Sequence, residues 1–305
     1  MASPFERSAI DAYPTKPAWD AVATEILGSM LDRWHLSEAH VFPATAAAVV
    51  AAVRRQDGSP AVLKIGFPHE EAIWEAVLLD GLPADLAPSV LDQDAWSWAM
   101  LLERLDPGTT LADAGIPDIE AVGIGAELHR RLLAAPPPSG VPALAEQYRP
   151  FVDRLAEDAA GALLRDAGVA EGAGNEAIDE FDRLCRTAPA QALLHGDLNP
   201  GNILRHGDGW RIIDPKPALG DPAFDTFSLV RDLMTDTGSP TKLAELTEAA
   251  VSAAGVDLER AIRWIRVRGI LSAFWNLEDG LADDGRRDVE LAWSAEDLLG
   301  LPSPR

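Results

Sequence analysis

Leu193-Leu194-His195-Gly196-Asp197-Leu198-Asn199-Pro200-Gly201-Asn202-Ile203-Leu204, with Ile212-Ile213-Asp214 soon after, decides how this chain is read. Two apolar stretches of strand character bracket a polar loop. The loop sets an Asp, an Asn five residues later, and a second Asp at the end of the next apolar strand. Each residue type has a chemical use. A carboxylate can orient and deprotonate a hydroxyl. An amide oxygen and a second carboxylate are hard ligands of the kind Mg²⁺ prefers, and its remaining positions go to phosphate and water.

Phosphoryl transfer asks little covalent work of a protein, mainly alignment of a hydroxyl, a triphosphate and Mg²⁺. An Asp, an Asn five positions on and an Asp on the following strand have the spacing of a kinase catalytic loop and its metal-binding Asp. The spacing therefore assigns Asp197 to the hydroxyl proton and Asn202 and Asp214 to the metal. Ala61-Val62-Leu63-Lys64 is close to the kinase strand that ends in a phosphate-binding Lys. A Lys at the inner end of an apolar strand needs a partner, because an unpaired buried ammonium is costly. Glu75 on the next helix is the chosen partner, and Glu71 one turn earlier is its rival. A strand-end Lys reaching solvent is the alternative.

The surrounding pattern suggests two parts. Ala18 to Trp34 has the periodicity of an amphipathic helix with Val22, Ile26, Met30 and Leu31 on one side. Residues 48–53, the turn Gln56-Asp57-Gly58-Ser59 and residues 61–65 form a hairpin pattern. His69 to Leu79 has helical spacing, and Trp98 to Leu102 is an apolar strand entering a turn. After that the pattern is mainly helical, over 119–133, 143–164, 175–186, 222–234, 241–254, 258–277 and 286–299. The predicted fold class is α+β, with a small β-rich part over 1–105 and a larger, mainly helical part over 106–305. The tail Leu301-Pro302-Ser303-Pro304-Arg305 reads as unstructured.

Composition narrows the partners. The 305 residues hold 49 acidic and 26 basic side chains, a formal net charge of -23. A nucleic-acid partner is not expected, since phosphate backbones demand a basic face. A cationic small molecule would be attracted. Cys185 is the single cysteine, which excludes an internal disulfide and a cysteine-based zinc site. With no signal-peptide pattern at Met1-Ala2-Ser3-Pro4-Phe5-Glu6 and no apolar run near the ~20 residues that span a membrane, a cytoplasmic protein without membrane or obligate protein partner is expected.

Other residues carry weaker signals. Between the first helix and Val49 lies Val41-Phe42-Pro43-Ala44-Thr45-Ala46-Ala47, where a glycine-rich phosphate loop would be expected. Small residues there let backbone N–H groups approach a phosphate, and the Thr45 hydroxyl can assist, but no Gly supplies a positive φ. His195 reads as a loop-holding residue rather than a base. Asp221 is placed as an N-cap with Pro222 at the first helical position, and Asp225 as a brace under the loop. Trp275, Glu278 and Asp279, at the acidic end of a helix, are candidates for binding a cationic or sugar-like acceptor, because carboxylates there oppose the macrodipole.

Taken together, Asp32-Arg33-Trp34, Ala61-Val62-Leu63-Lys64, Leu101-Leu102-Glu103-Arg104-Leu105-Asp106, His195-Gly196-Asp197-Leu198 with Asn202, Ile213-Asp214-Pro215-Lys216-Pro217 with Gly220-Asp221-Pro222, and Leu277-Glu278-Asp279-Gly280-Leu281 resemble the aminoglycoside/hydroxyurea antibiotic-resistance kinase family. The resemblance runs over nearly the whole chain. It is similar within that family to the members that phosphorylate streptomycin. The resemblance implies a bilobal protein-kinase-like fold, ATP (with GTP not excluded) and Mg²⁺, and phosphorylation of a hydroxyl on a small molecule. It implies that Asp197 is the catalytic base, that Asn202 and Asp214 take the metal and Lys64 the phosphates, and that the backbone of Glu103 and Leu105 takes adenine. An aminoglycoside such as streptomycin is the first acceptor implied. The alternatives are a nucleoside or peptide antibiotic, hydroxyurea, a sugar or an amino alcohol, or a kinase-like binding protein without turnover.

Overall fold

A computed structural model describes residues 2–43 and 47–301. Thr45, and the tail residues 302–305, lie outside the described residues. In chain order the elements begin with α1 (Ser8–Ala12), α2 (Lys16–Arg33), β1 (Ser37–Val41), β2 (Ala48–Arg54), β3 (Pro60–Gly66), α3 (Glu75–Gly81), β4 (Val90–Asp94), β5 (Ala99–Glu103) and β6 (Pro107–Thr110). They continue with α4 (Asp118–Leu133), α5 (Leu144–Val152), α6 (Asp158–Asp166), α7 (Ala173–Arg186), β7 (Ala192–Leu194), β8 (Ile203–His206), β9 (Gly209–Ile212) and β10 (Ala218–Gly220). The last helices are α8 (Thr226–Arg231), α9 (Pro240–Ala254), α10 (Leu258–Glu278) and α11 (Ala282–Leu299). Among the described residues, no helix is long and apolar enough to cross a membrane.

The chain divides into two compact units, Met1–Thr109 with Leu204–Pro217, and Thr110–Ile203 with Ala218–Arg305. The cut near residue 105 is thus crossed by a returning segment. Its backbone explains why: Gly207 N–H donates to Asp106 O and Ile212 N–H to Leu86 O, each at 2.9 Å.

In the first unit five antiparallel strands lie in the order β1-β2-β3-β5-β4. The turn after β2 is set by Gly58 at φ 80° and by Asp57, whose Oδ1 accepts from Ser59 N–H at 2.9 Å. Alternation along β3 sends Ala61, Leu63 and Ile65 into the core and Lys64 to the opposite face. The helix packed with this core is α2, capped by Thr15. It buries Trp19, Ala23, Leu27 and Met30, a face rotated from the predicted one, with Val22 and Ile26 only half-buried. Two strands had no sequence signal. β1 is exposed throughout and β4 carries two carboxylates and no buried residue, as suits sheet edges.

Helices dominate the second unit, around a core that includes Tyr148, Phe181, Phe224, Trp264 and Phe274. The helix expected over 143–164 is broken. Pro150 lies inside α5, which ends two residues later, a 3₁₀ turn follows at Asp153–Ala156, and Glu157 is extended before α6. The helix expected over 222–234 shrinks to Thr226–Arg231. Asp221 is therefore not an N-cap. Fully buried, it accepts from Trp264 Nε1 at 2.6 Å and pairs with Arg260, while its Oδ1 accepts from Ala223 N–H at 3.1 Å.

The strand leading into the central loop is held by a close approach. β7 pairs antiparallel with β10, Leu193 opposite Leu219 and Ala192 opposite Gly220. A Cβ on Gly220 would sit 2.6 Å from Leu144 Cβ and 3.2 Å from Leu194 Cδ1. Gly220→Ala is expected to cost about 1–3 kcal/mol through overpacking. Thermal unfolding checks this, and an unchanged midpoint would remove the close approach from the account.

Candidate active site

Lys64, Glu75 and Asp214 meet in the first unit. Lys64 Nζ lies 2.5 Å from Glu75 Oε1 and 2.6 Å from Asp214 Oδ1. Glu75, not Glu71, is thus the helix partner. Burial alone would push the Lys64 ammonium toward neutrality, but the Glu75 and Asp214 carboxylates reverse this and hold its pKa above the ordinary lysine range. Burial pushes the Glu75 carboxyl up, against the pull of Lys64. The two carboxylates differ in access. The Glu75 side chain is 3% exposed and that of Asp214 38%, so Asp214 is the more accessible of the two. Asp214 also has φ 56°, a left-handed conformation that Asp tolerates better than most residues and that collects at functional sites.

Glu103 sits at the end of β5. Its carboxylate accepts from Ser89 N–H and Ser89 Oγ, both at 3.1 Å, so its side chain is already committed. Leu105 follows, buried. Any nucleotide contact there falls to the backbone.

The second unit holds the loop carrying Asp197 and Asn202. Asp225, fully buried, accepts from His195 N–H at 2.8 Å with one carboxylate oxygen and from Gly196 N–H at 2.9 Å with the other. Gly196 takes φ 82°, open to glycine without strain. Asp197 N–H then donates to His195 Nδ1 at 3.3 Å. The His195 ring is completely buried, so its observed work is to hold the loop. Asn199 Oδ1 accepts from the N–H groups of Gly201 and Asn202 at 2.8 and 3.1 Å, capping a 3₁₀ turn. Its Nδ2 donates to Asp197 Oδ1 at 3.1 Å. Asn202 Nδ2 donates to Asp197 O at 2.9 Å. That orientation presents the Asn202 carbonyl oxygen as the end available to a ligand.

The candidate acceptor residues are differently placed. Trp275 packs on the unit's core, its ring centroid 5.5 Å from that of Phe151 in an edge-to-face arrangement. Glu278 pairs with Arg154, Nη1 to Oε2 at 3.0 Å. Asp279, the C-cap of α10, is exposed. Sequence reasoning missed another polar group. Asp288, buried on α11, accepts from Arg231 Nε at 2.5 Å, Ser272 Oγ at 2.7 Å and Asn276 Nδ2 at 2.8 Å. Arg231 Nη1 donates to Asp232 Oδ1 at 2.7 Å. Partial desolvation raises the Asp232 pKa against the pull of Arg231, and the Asp197 charge adds to the rise. Asp288 lies on the buried face of α11 with Ala292 and Ala295, a face that also buries Glu296.

Residues 33–280 match the model of the aminoglycoside/hydroxyurea antibiotic resistance kinase family. This chain belongs to that family. A streptomycin 6-kinase of Streptomyces glaucescens is 32% identical over 279 residues, covering 87% of this chain and 86% of its own length. A hydroxyurea phosphotransferase of Kitasatospora aureofaciens is 34% identical over 287 residues, 90% of this chain and 78% of its own. Among solved structures, a choline kinase from Cryptosporidium parvum superposes with a TM-score of 0.62 at 13% identity, covering 91% of this chain and 96% of that one. A thermostable mutant of aminoglycoside phosphotransferase APH(4)-Ia, in complex with AMP-PNP and hygromycin B, gives 0.61 at 19% identity, covering 88% and 98%. The fold is therefore protein-kinase-like, and the family is one of small-molecule kinases.

Beneath the loop, His129 is buried with Nε2 3.8 Å from Asp225 Oδ2. Burial depresses its pKa below the ordinary 6.5, against the pull of Asp225. An imidazole with a depressed folded-state pKa contributes stability that is full above 6.5 and lost as the pH falls through the folded-state value. The thermal midpoint should fall on acidification from neutrality, and less steeply in His129→Gln. Identical pH dependence in the two proteins would contradict this.

Proposed function

We propose that this family member is an ATP- and Mg²⁺-dependent O-phosphotransferase whose acceptor is an aminoglycoside, streptomycin first. The observation that carries the acceptor is the 32% identity to streptomycin 6-kinase over 87% of the chain. The formal charge of -23 supports it, since an anionic surface concentrates a cationic drug. In this reading Lys64, held charged by Glu75, binds the nucleotide phosphates, and the backbone of Glu103 and Leu105 receives adenine. Residues 1–105 form the nucleotide-binding part and 106–305 supply the loop and acceptor site, with Asp214 returning to the former.

The residue types suit Mg²⁺: the partly exposed carboxylate of Asp214 and the amide oxygen of Asn202 are hard oxygens, and few protein ligands are needed when phosphates complete the shell. Mg²⁺, when bound, neutralises phosphate charge. Asp197 orients the acceptor hydroxyl and takes its proton as the oxygen attacks the γ-phosphorus, the bond from that phosphorus to the β,γ-bridging oxygen breaks, and ADP leaves. Asn199 and Asn202 fix the Asp197 carboxylate and backbone for that task. The phosphate adds about -1.5 to -2 charges at neutral pH, which would spoil a cationic drug's fit to an anionic target. Trp275, Glu278 and Asp279 remain proposed acceptor contacts, with Glu278 and Asp279 exposed and Trp275 half-buried. A second reading, hydroxyurea as acceptor, is favoured by the 34% identity to hydroxyurea phosphotransferase.

Acceptor-dependent ADP release from ATP and Mg²⁺, measured across aminoglycosides, hydroxyurea, nucleoside and peptide antibiotics and sugars, tests this. Streptomycin is expected to give the largest signal. Asp197→Asn and Asp214→Asn should each lower it by roughly 10²-fold or more. A signal with hydroxyurea and none with streptomycin would transfer the assignment, and near-parent rates in either variant would contradict the residue roles.

A further inference from the structure

Four arginines lie along α10, and three are paired with carboxylates. Arg260 pairs with Asp221, Arg263 with Glu259 and Glu180, and Arg266 with Glu296 and Glu176. Arg268 differs. It is 7% exposed, and among the described residues no carboxylate lies within ion-pair distance of it. A buried guanidinium without a counter-ion is costly to maintain. Its surroundings are aromatic. The Phe224, Phe227 and Tyr148 rings have centroids 4.2, 4.9 and 5.8 Å from its Cζ. Three π faces offset part of the desolvation cost.

The cage aims the cation at one atom. Arg268 Nη1 donates to Gly196 O at 3.3 Å, and Tyr148 OH donates to the same oxygen at 3.4 Å. That carbonyl belongs to the peptide group that enters Asp197. The N–H of that peptide is held by His195 Nδ1, and the N–H of the preceding one by Asp225. The Gly196–Asp197 peptide plane is thereby fixed at its oxygen and its nitrogen, which sets the direction of the Asp197 side chain. Glycine at 196 makes this grip necessary, since a residue free to adopt many φ values imposes no orientation by itself.

We infer that Arg268 is a positioning residue for Asp197, acting through the Gly196 carbonyl from within an aromatic cage. The inference rests on the assignment of Asp197 as the residue that orients the acceptor hydroxyl. A donor retained without the charge should preserve the effect, and an apolar chain of similar length should not.

The test is steady-state kinetics with streptomycin, ATP and Mg²⁺ on the full chain. If another acceptor gives the larger signal in the panel, that acceptor is used. Arg268→Met should lower kcat by about 10- to 100-fold, the scale of a misaligned reacting group, with both KM values within about twofold. Arg268→Gln, which can still donate to Gly196 O, should recover most of the loss. Placed on Asp197→Asn, Arg268→Met should cost nothing further, because the group it aims is gone. A purely structural arginine would instead lower the residual rate again. Should Arg268→Met not fold, Tyr148→Phe decides, with a reduced kcat at unchanged KM expected and an unchanged kcat overturning the inference. Parent-like kcat in Arg268→Met, or no recovery in Arg268→Gln, would also overturn it. Parent-like turnover in Asp197→Asn would instead sink the assignment of Asp197 on which it rests.

Discussion

One buried carboxylate holds the loop on which the proposed chemistry depends. Asp225 gives one oxygen to His195 N–H and the other to Gly196 N–H, at 2.8 and 2.9 Å. Charge-assisted hydrogen bonds of this kind are among the stronger ones, and a buried anion is tolerated only when so satisfied. The consequences spread outward. With two successive N–H groups anchored, His195 can accept from Asp197 N–H. Asn199 then closes its turn and Asn202 braces the Asp197 backbone. β7 arrives at this anchor in a register fixed by β10, and Gly220 leaves room for Leu144 beside it.

The first unit applies a different device. Lys64 sits on the face of β3 opposite the apolar core, between one buried and one accessible carboxylate. Both carboxylates keep the ammonium charged, and Asp214 is the more accessible of the two. Both units thus use carboxylates in pairs of roles, one to support and one to act. Under the proposed function, Asp225 and Glu75 support, and Asp197 and Asp214 act.

Much of this was legible because the residues that carry it lie close in sequence. The interval from Asp197 to Asn202 and the strand before Asp214 suffice for the loop, and alternation along β3 suffices for Lys64. The β1 and β4 edges were illegible, since an edge strand facing water needs no apolar alternation. Asp221 was misread because its neighbour Pro222 has the local form of a helix start, while Trp264 and Arg260, distant in sequence, claim the carboxylate instead. Asp288 and Arg268 gain their meaning from contacts that no local pattern encodes. Trp275 and Glu278 draw notice in sequence as an acidic, aromatic helix end, and the structure adds core packing for the one and a pair with Arg154 for the other.

The most direct test of the loop's construction is Asp225→Asn, assayed for acceptor-dependent phosphate transfer alongside binding of a fluorescent ATP analogue. An amide keeps the shape of the carboxylate but turns an N–H donor toward a backbone donor. The account predicts a folded protein that binds nucleotide as the parent does and has lost most of its transfer. Parent-like transfer in that variant would contradict the claim that the buried carboxylate sets the catalytic geometry.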